Sequence, residues 1–129
     1  MTIILDDYAV PEIGSVQLSL NFTFDIKVSA EQARRKVNRW LLNEVSYLIW
    51  AETPTLAVGK RAVWRVPAVL GYPSFGKVGT VGMVEVDVET GELNNAEERK
   101  TEIEQQGLEI ASRFPLEKVP SREVPVPSS

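Results

Sequence analysis

The sequence predicts an α+β fold, in which a long helix packs on a curled antiparallel sheet of about four strands, in the order β-α-β-β-β, with an additional C-terminal helix. Three observations predict it. Hydrophobic residues alternate with polar residues over residues 16–28, recur at helical spacing over residues 30–50, and then form three extended runs over residues 56–88. Consecutive strands that follow a single helix indicate a sheet that curls over that helix.

The first strand is predicted at residues 16–28, VQLSLNFTFDIKV. Its apolar side chains point to one face and its polar side chains to the other, which is the pattern of a strand with one buried face. The strand is long, so we expect a bend or a bulge in it. Its polar face is charged only at Asp25 and Lys27, so its edge is a predicted site of self-association.

The long helix is predicted to begin with a capping box, in which the Ser29 hydroxyl accepts from the Gln32 amide and the Gln32 side chain reaches back. We expect it to continue to residue 50, before Pro54 stops it. One apolar stripe supports this length: Ala33, Val37, Trp40, Leu41, Val45, Leu48 and Ile49. A basic run on the first half of the helix is interpreted as a solvated face: Arg34, Arg35, Lys36 and Arg39.

Glu44 is the unusual residue of this helix, because it lies close to the middle of the apolar stripe. A buried carboxylate must be paired, protonated or part of a site. We expect Glu44 to be mostly buried and within salt-bridge reach of Arg61 or Arg65. Two alternatives remain: a pocket lined by Glu44, Trp40 and Trp64, or a solvated groove end.

Three aromatic residues are candidate partner contacts. Trp50 projects to the polar side of the predicted helix, and Tyr72 and Phe75 lie on a loop bounded by glycines. Aromatic side chains displayed in this way are typical anchors of protein interfaces. The alternative is that the second helix and the C-terminal tail cover them.

Residues 56–58 and 61–66 are predicted to form a hairpin with a type II′ turn, in which Gly59 has a positive φ. The loop that follows is predicted at residues 71–79, GYPSFGKVG, and its first seven residues match the first seven positions of a phosphate-binding loop. Val78 stands where that loop needs serine or threonine, and no helix is predicted after it. We therefore interpret the segment as an inter-strand loop without a nucleotide.

The third extended run, residues 78–88, leads into VEVDVETGEL at 84–93. Glu85, Asp87 and Glu89 share one face of this strand, and such a row either holds a hard cation or is the solvent face of a half-buried strand. The spacing does not meet the calcium-loop pattern, and a glycine after threonine suits a turn. We interpret the stretch as strand and turn, and predict no metal site.

The second helix is predicted to open at Asn95, with Glu98 as a capping partner, and to end before Pro115. Residues 115–129 hold four of the eight prolines and end in two serines. We therefore predict one α+β domain at 1–114 and a proline-rich tail at 115–129.

The composition excludes several chemistries. The chain has no cysteine and no histidine, which removes thiol catalysis, disulfides, the commonest general base and the commonest metal ligand. We predict no catalytic residue, no cofactor and no metal. The beginning of the chain does not resemble a signal peptide and no apolar run has the length of a membrane span, so a cytoplasmic protein without a membrane partner is expected.

The net charge of −4 is unevenly distributed. Residues 27–84 carry nine bases and three acids, whereas residues 85–129 carry five bases and eleven acids. We interpret the acidic C-terminal part as neutralising the basic middle. The bases are scattered, so we predict no nucleic-acid surface.

Three short segments resemble those of PepSY-type domains: VSAEQA at 28–33, WRVP at 64–67 and VEVDVETGEL at 84–93. The resemblance implies a helix wrapped by a sheet, as in cystatins, and a role in modulating or inhibiting peptidases. The chain departs from cystatins in its first hairpin, LAVGKR, which lacks the glutamine of their Q-x-V-x-G loop. Its first residues also predict no secretory signal of the kind that many PepSY proteins carry.

Two hypotheses of function follow. The first is a small non-enzymatic protein-binding or regulatory module that modulates a peptidase or neutralises a toxin-like partner, with homodimerisation as the simplest form of self-association. The alternative is a small-molecule-binding or enzymatic α+β cone with a pocket around Glu44.

Overall fold

The computed structural model describes residues 3–5, 14–15 and 23–113. Two helices and six strands follow one another along the chain in these bounds: β1 (Ile3–Leu5), α1 (Ala30–Glu44), β2 (Ile49–Ala51), β3 (Thr55–Val58), β4 (Ala62–Tyr72), β5 (Gly76–Asp87), β6 (Leu93–Asn94) and α2 (Ala96–Ser112). The predicted α+β class is confirmed. The predicted tail at 115–129 lies outside the described residues.

The sheet is built around the β4–β5 hairpin. Its strand order is β1-β3-β4-β5-β6, and β2 pairs with β4 next to β3. All of these pairs are antiparallel except that of β1 with β3, which is parallel, whereas we predicted an antiparallel sheet of about four strands. The extra strands have two or three residues each, too few for an alternating pattern to show in the sequence.

A proline lies in the middle of the sheet because of a gap between two short strands. β3 pairs with β4 up to Arg65, and β2 pairs with it from Ala68 onward. Pro67 falls between these two stretches, and its carbonyl accepts a hydrogen bond from the Glu52 amide (3.0 Å). Proline has no amide hydrogen to donate. At this position β4 faces the place where the chain crosses from β2 to β3, so no hydrogen bond of the ladder is lost.

Helix α1 begins as its sequence predicts. The Ser29 hydroxyl accepts from the Gln32 amide (3.0 Å), and the Ser29 amide donates to Gln32 Oε1 (2.8 Å), which confirms the capping box. The helix ends at Glu44 instead of residue 50, so its predicted length is wrong.

The shorter helix has a tertiary cause. Ile49, Trp50 and Ala51 form β2 and pair with β4, and the Ala51 amide donates to the Asn38 side chain (2.9 Å). The Ser46 hydroxyl accepts from the Leu48 amide in the turn between α1 and β2 (3.0 Å). Strand pairing thus overrides a helical spacing of apolar residues.

The strand predicted at residues 16–28 is not present in its described part, because residues 23–28 belong to no strand. Residues 16–22 lie outside the described residues. The amides of Lys27 and Val28 both donate to the Val88 carbonyl (2.8 and 3.0 Å), and the Trp64 indole donates to the Val28 carbonyl (2.7 Å). These bonds attach the segment before α1 to the sheet without a ladder.

Both helices pack on the same face of the sheet. Side chains of α1, of α2 and of alternate positions of β4 form one core, which includes Val37, Leu41, Trp64, Val66 and Ile103. Helix α1 covers β2 and β4, and α2 covers β5. The burial of Ile49 and Ala51 in the same core shows that the residue between them, Trp50, faces the other side of the sheet.

The turns differ from their predictions in detail. The hairpin of β3 and β4 is confirmed, but its loop has three residues because Val58 pairs with Ala62, and Gly59 does not have a positive φ. The segment predicted as a loop at 71–79 is mostly strand, since Tyr72 pairs with Gly76, whose φ is +92°.

Helix α2 begins at an abrupt junction with β6. Asn95 is its N-cap in the left-handed conformation, with φ of 52°, and makes no side-chain capping bond, so the predicted capping pair with Glu98 is wrong. No helix among the described residues is long and apolar enough to cross a membrane.

Candidate functional site

The three residues predicted to line a pocket, Glu44, Trp40 and Trp64, lie in different surroundings. The Glu44 side chain is 54% exposed and its carboxylate lies 3.9 Å from the Lys100 ammonium on α2, so the expected burial and the pairing with Arg61 or Arg65 are both wrong. Glu44 is the last residue of α1. The apolar residues that follow it are not helical, so they do not continue the stripe that would have surrounded this side chain. Trp64 is 2% exposed within the core, and Trp40 is partly buried against it.

Trp50, expected to project from a helix, is a partly buried residue of β2. It covers Gly71 so closely that a Cβ atom at position 71 would lie 2.3 Å from the ring. The Trp50 indole donates to Glu52 Oε2 (3.2 Å), and Glu52 Oε1 accepts from Lys77 (3.1 Å). The hydrogen bond from Lys77, followed by that from Trp50, lowers the pKa of Glu52. Trp50 thus stabilises the β4–β5 hairpin.

The other two predicted anchors lie near the β4–β5 turn. Phe75 is 54% exposed in the turn, and its amide donates to the Tyr72 carbonyl (3.1 Å). Tyr72 is half-buried against the edge of the core. A partner contact through these residues stays a prediction.

The acidic face of β5 has structural roles. Glu85 accepts from Arg65 (3.1 Å), and Asp87 Oδ1 accepts from the amides of Glu89 and Thr90 (2.8 and 3.0 Å). These backbone bonds, that from Thr90 first, lower the pKa of Asp87. Among the described residues, no group of three acids is arranged to hold a metal ion.

An apolar groove of about 440 Å³ opens between α2 and the turn that joins α1 to β2. Its apolar lining includes Leu48, Ile49, Leu70, Tyr72, Ile103 and Leu108. Leu108 is 73% exposed at its rim, and Tyr47, which precedes the lining residue Leu48, is 77% exposed. We call this surface the apolar groove.

Two further residues belong to the lining of the apolar groove. Gly107 lies in its wall, and a Cβ atom there would meet nothing within 4 Å. Glycine within a helix costs about 1 kcal/mol relative to alanine, and no neighbouring atom requires that cost here. Glu104 adds a negative charge to the lining.

A second groove of about 550 Å³ runs along the opposite side of α2, beside the outer edge of β5. Thr80, Val81, Gly82 and Met83 form one wall, and Glu102, Gln105, Gln106 and Glu109 form the other. Among the described residues, β6 pairs with this edge only at Glu85 and Val86. We call this surface the edge groove.

Comparison of the chain with models of protein families, with characterised proteins and with solved structures finds no match. Function is therefore inferred from the residues of the two grooves.

The sequence did not point to either groove. The second helix shows a narrow apolar stripe through Ile103, Gly107, Ile110 and Ala111, but Leu108 falls outside it. The signal in the sequence for the apolar groove is Leu108, which lies outside this stripe and next to Gly107. Single exposed leucines are common on protein surfaces, so this signal is weak.

Proposed function

We propose that this chain is a small non-enzymatic protein-binding module of the cytoplasm, and that the apolar groove is its contact surface. The observation that carries the proposal is the exposure of Leu108 in the lining of an open apolar concavity. Clustered apolar surface of this kind marks interaction sites on small proteins. The absence of histidine and cysteine from the sequence supports a binding role over catalysis.

The partner we propose is a protein segment that presents apolar side chains flanked by basic residues. The floor of the groove is apolar, which favours leucine-like or aromatic side chains. Glu104, whose side chain is exposed, lies in its lining. A carboxylate in this position favours a basic partner and speeds its association.

The resemblance to PepSY-type domains makes a peptidase the first class of partner to test, and a toxin-like protein neutralised by binding the second. Modulation of a peptidase is measured as a change in hydrolysis of a fluorogenic peptide when the chain is added. Neutralisation is measured as growth restored by co-expression.

The contact surface is tested with two matched leucine substitutions. Leu108→Asp places a charge at the rim of the apolar groove, whereas Leu42→Asp places one on α1, at a leucine that is 58% exposed and does not line the groove. A partner of the proposed kind binds wild type and Leu42→Asp with equal affinity and binds Leu108→Asp at least about tenfold more weakly. Equal binding to all three proteins refutes the proposal.

A small apolar molecule is a second candidate occupant. The volume of about 440 Å³ lies within the range of small-molecule sites, roughly 300–1,000 Å³. This retains the ligand-binding alternative but moves it from Glu44 to the apolar groove. Native mass spectrometry of the purified chain distinguishes the two occupants, because a retained ligand adds a defined mass that Leu108→Asp removes.

A further inference from the structure

We propose that the edge groove is a homodimer interface, in which β5 of one molecule pairs antiparallel with β5 of a second copy and the two α2 helices lie side by side. This surface is on the other side of α2 from the apolar groove. The inference is independent of the proposed partner.

The first argument is that the outer edge of β5 is paired only in part. The Asp87 amide donates to Glu92 on the β6 side (3.0 Å), and alternation along the strand directs the bonding groups of Met83 to that side too. Between Gly76 and Val84 the strand carries one charged side chain, Lys77. Native edges are usually guarded by inward charges, proline, bulges or a covering element. Among the described residues, no charged residue, proline or paired strand lies directly beside Thr80, and β5 has a register shift in its pairing with β4 on each side of this residue.

The second argument is that α2 runs alongside β5 over the length of this edge. A Cβ atom at Gly82 would lie 2.7 Å from Ile103, and one at Gly79 would lie 3.6 Å from Ile110. The three residues from Gly79 to Gly82 span about 10 Å of strand, and the seven residues from Ile103 to Ile110 span about 10.5 Å of helix. The axes of α2 and β5 are therefore nearly aligned, and the two elements run antiparallel. A twofold axis that pairs the strands antiparallel therefore brings the helices together antiparallel.

The third argument is that the outer stripe of α2 is complementary to itself. Glu102, Gln106, Glu109 and Arg113 lie on one face of the helix, at spacings of four, three and four residues. A twofold axis beside Thr80 falls between residues 107 and 108 of α2. Glu102 then faces Arg113 of the second copy, and Gln106 faces its Glu109.

These contacts require little rearrangement of the monomer. Glu102 is paired with Arg99 (3.0 Å) and Arg113 with Glu109 (2.9 Å), in each case within one exposed helix turn. Exposed ion pairs of this kind contribute little to stability. Losing them therefore costs little when they are exchanged for pairs across the interface. Thr80 is exposed and would meet Thr80 of the copy, a cross-strand pair that favours sheets.

The interface is tested by sedimentation equilibrium of the full chain at concentrations up to about 100 µM. Thr80→Lys places two like charges at the axis and is expected to weaken dimerisation by at least about tenfold. Thr101→Lys, at an exposed position of α2 outside the stripe, is the matched control and leaves the dimer unchanged. A monomeric wild type, or equal dimerisation of Thr80→Lys and wild type, overturns the proposal.

Charge exchange then tests the register. Glu102→Arg alone and Arg113→Glu alone each weaken the dimer, and the double variant regains wild-type association. If the double variant is as weak as the two losses combined, Glu102 and Arg113 do not meet and the proposed dimer is wrong. Leu108→Asp leaves dimerisation intact, which separates failure at this interface from failure at the apolar groove.

Discussion

Substitution of Gly82 by alanine tests how closely α2 packs on the sheet. The new methyl carbon would lie 2.7 Å from Ile103 Cγ1, whereas carbon atoms in contact are normally about 3.5–4.0 Å apart. The helix must therefore move outward by about 1 Å, and overpacking of this kind costs about 1–3 kcal/mol. Alanine also lowers the entropy of the unfolded chain, which returns about 0.4–1 kcal/mol. We expect Gly82→Ala to lower the free energy of unfolding by about 1–2 kcal/mol.

Urea denaturation followed by circular dichroism measures this loss, with Gly79→Ala as the matched control. A Cβ atom at Gly79 would lie 3.6 Å from Ile110, an ordinary contact, and neither glycine has a positive φ. Gly79→Ala is therefore expected to be neutral or slightly stabilising.

A double-mutant cycle with Ile103→Ala checks the cause of the loss. Removing the Ile103 side chain costs about 2–5 kcal/mol by itself, but it leaves room for a methyl group at position 82. Gly82→Ala should cost nothing in that background, so that the two changes are strongly coupled. If Gly82→Ala is as stable as wild type, or costs the same with and without Ile103, the close packing of α2 on β5 is refuted.

Three further changes test the turns and helix ends. Trp64→Phe leaves the Val28 carbonyl without its indole donor and should lower the free energy of unfolding by about 1–3 kcal/mol in urea, with no loss contradicting the bond. Asp87→Ala removes two acceptor bonds of the turn after β5 and should cost about 1 kcal/mol or more, whereas thermal melts that match wild type would contradict that role. The hydrogen bond from Arg34, followed by that from Arg35, lowers the pKa of Glu31 from 4.5 to about 2. A lowered folded-state pKa stabilises the protein above the unfolded-state value, so the advantage of wild type over Glu31→Gln is expected at pH 6 and should disappear as the pH falls from 4.5 to 2.

The features that the sequence predicts correctly depend on neighbours within a few residues. The capping box at Ser29 needs only Gln32, and the turn after β5 needs only the Asp87 side chain and a glycine at position 91, whose φ is +78°. The hairpin of β3 and β4 needs two extended runs and a short loop. In each case local chemistry decides the local structure.

The features that the sequence does not predict depend on distant parts of the chain. Ile49 and Ala51 continue the helical spacing of apolar residues in the sequence. In the structure they pair with Leu70 and Ala68 of β4 and therefore belong to a strand. The predicted burial of Glu44 depends on a helix that continues to residue 50, whereas α1 ends at Glu44. Both grooves arise where α2 meets the sheet, and no spacing within α2 determines where that meeting occurs.

The central position of β4 has a consequence for how the molecule opens. Its backbone is hydrogen-bonded to β5 on one side and to β2 and β3 on the other, while α2 is attached to the sheet over β5. Amide hydrogens in β4 should therefore exchange with solvent only when the whole fold is lost, and those in α2 through smaller and more frequent openings. Both proposed surfaces include α2, so they belong to the layer that can adjust to a partner while the strands beneath it stay closed.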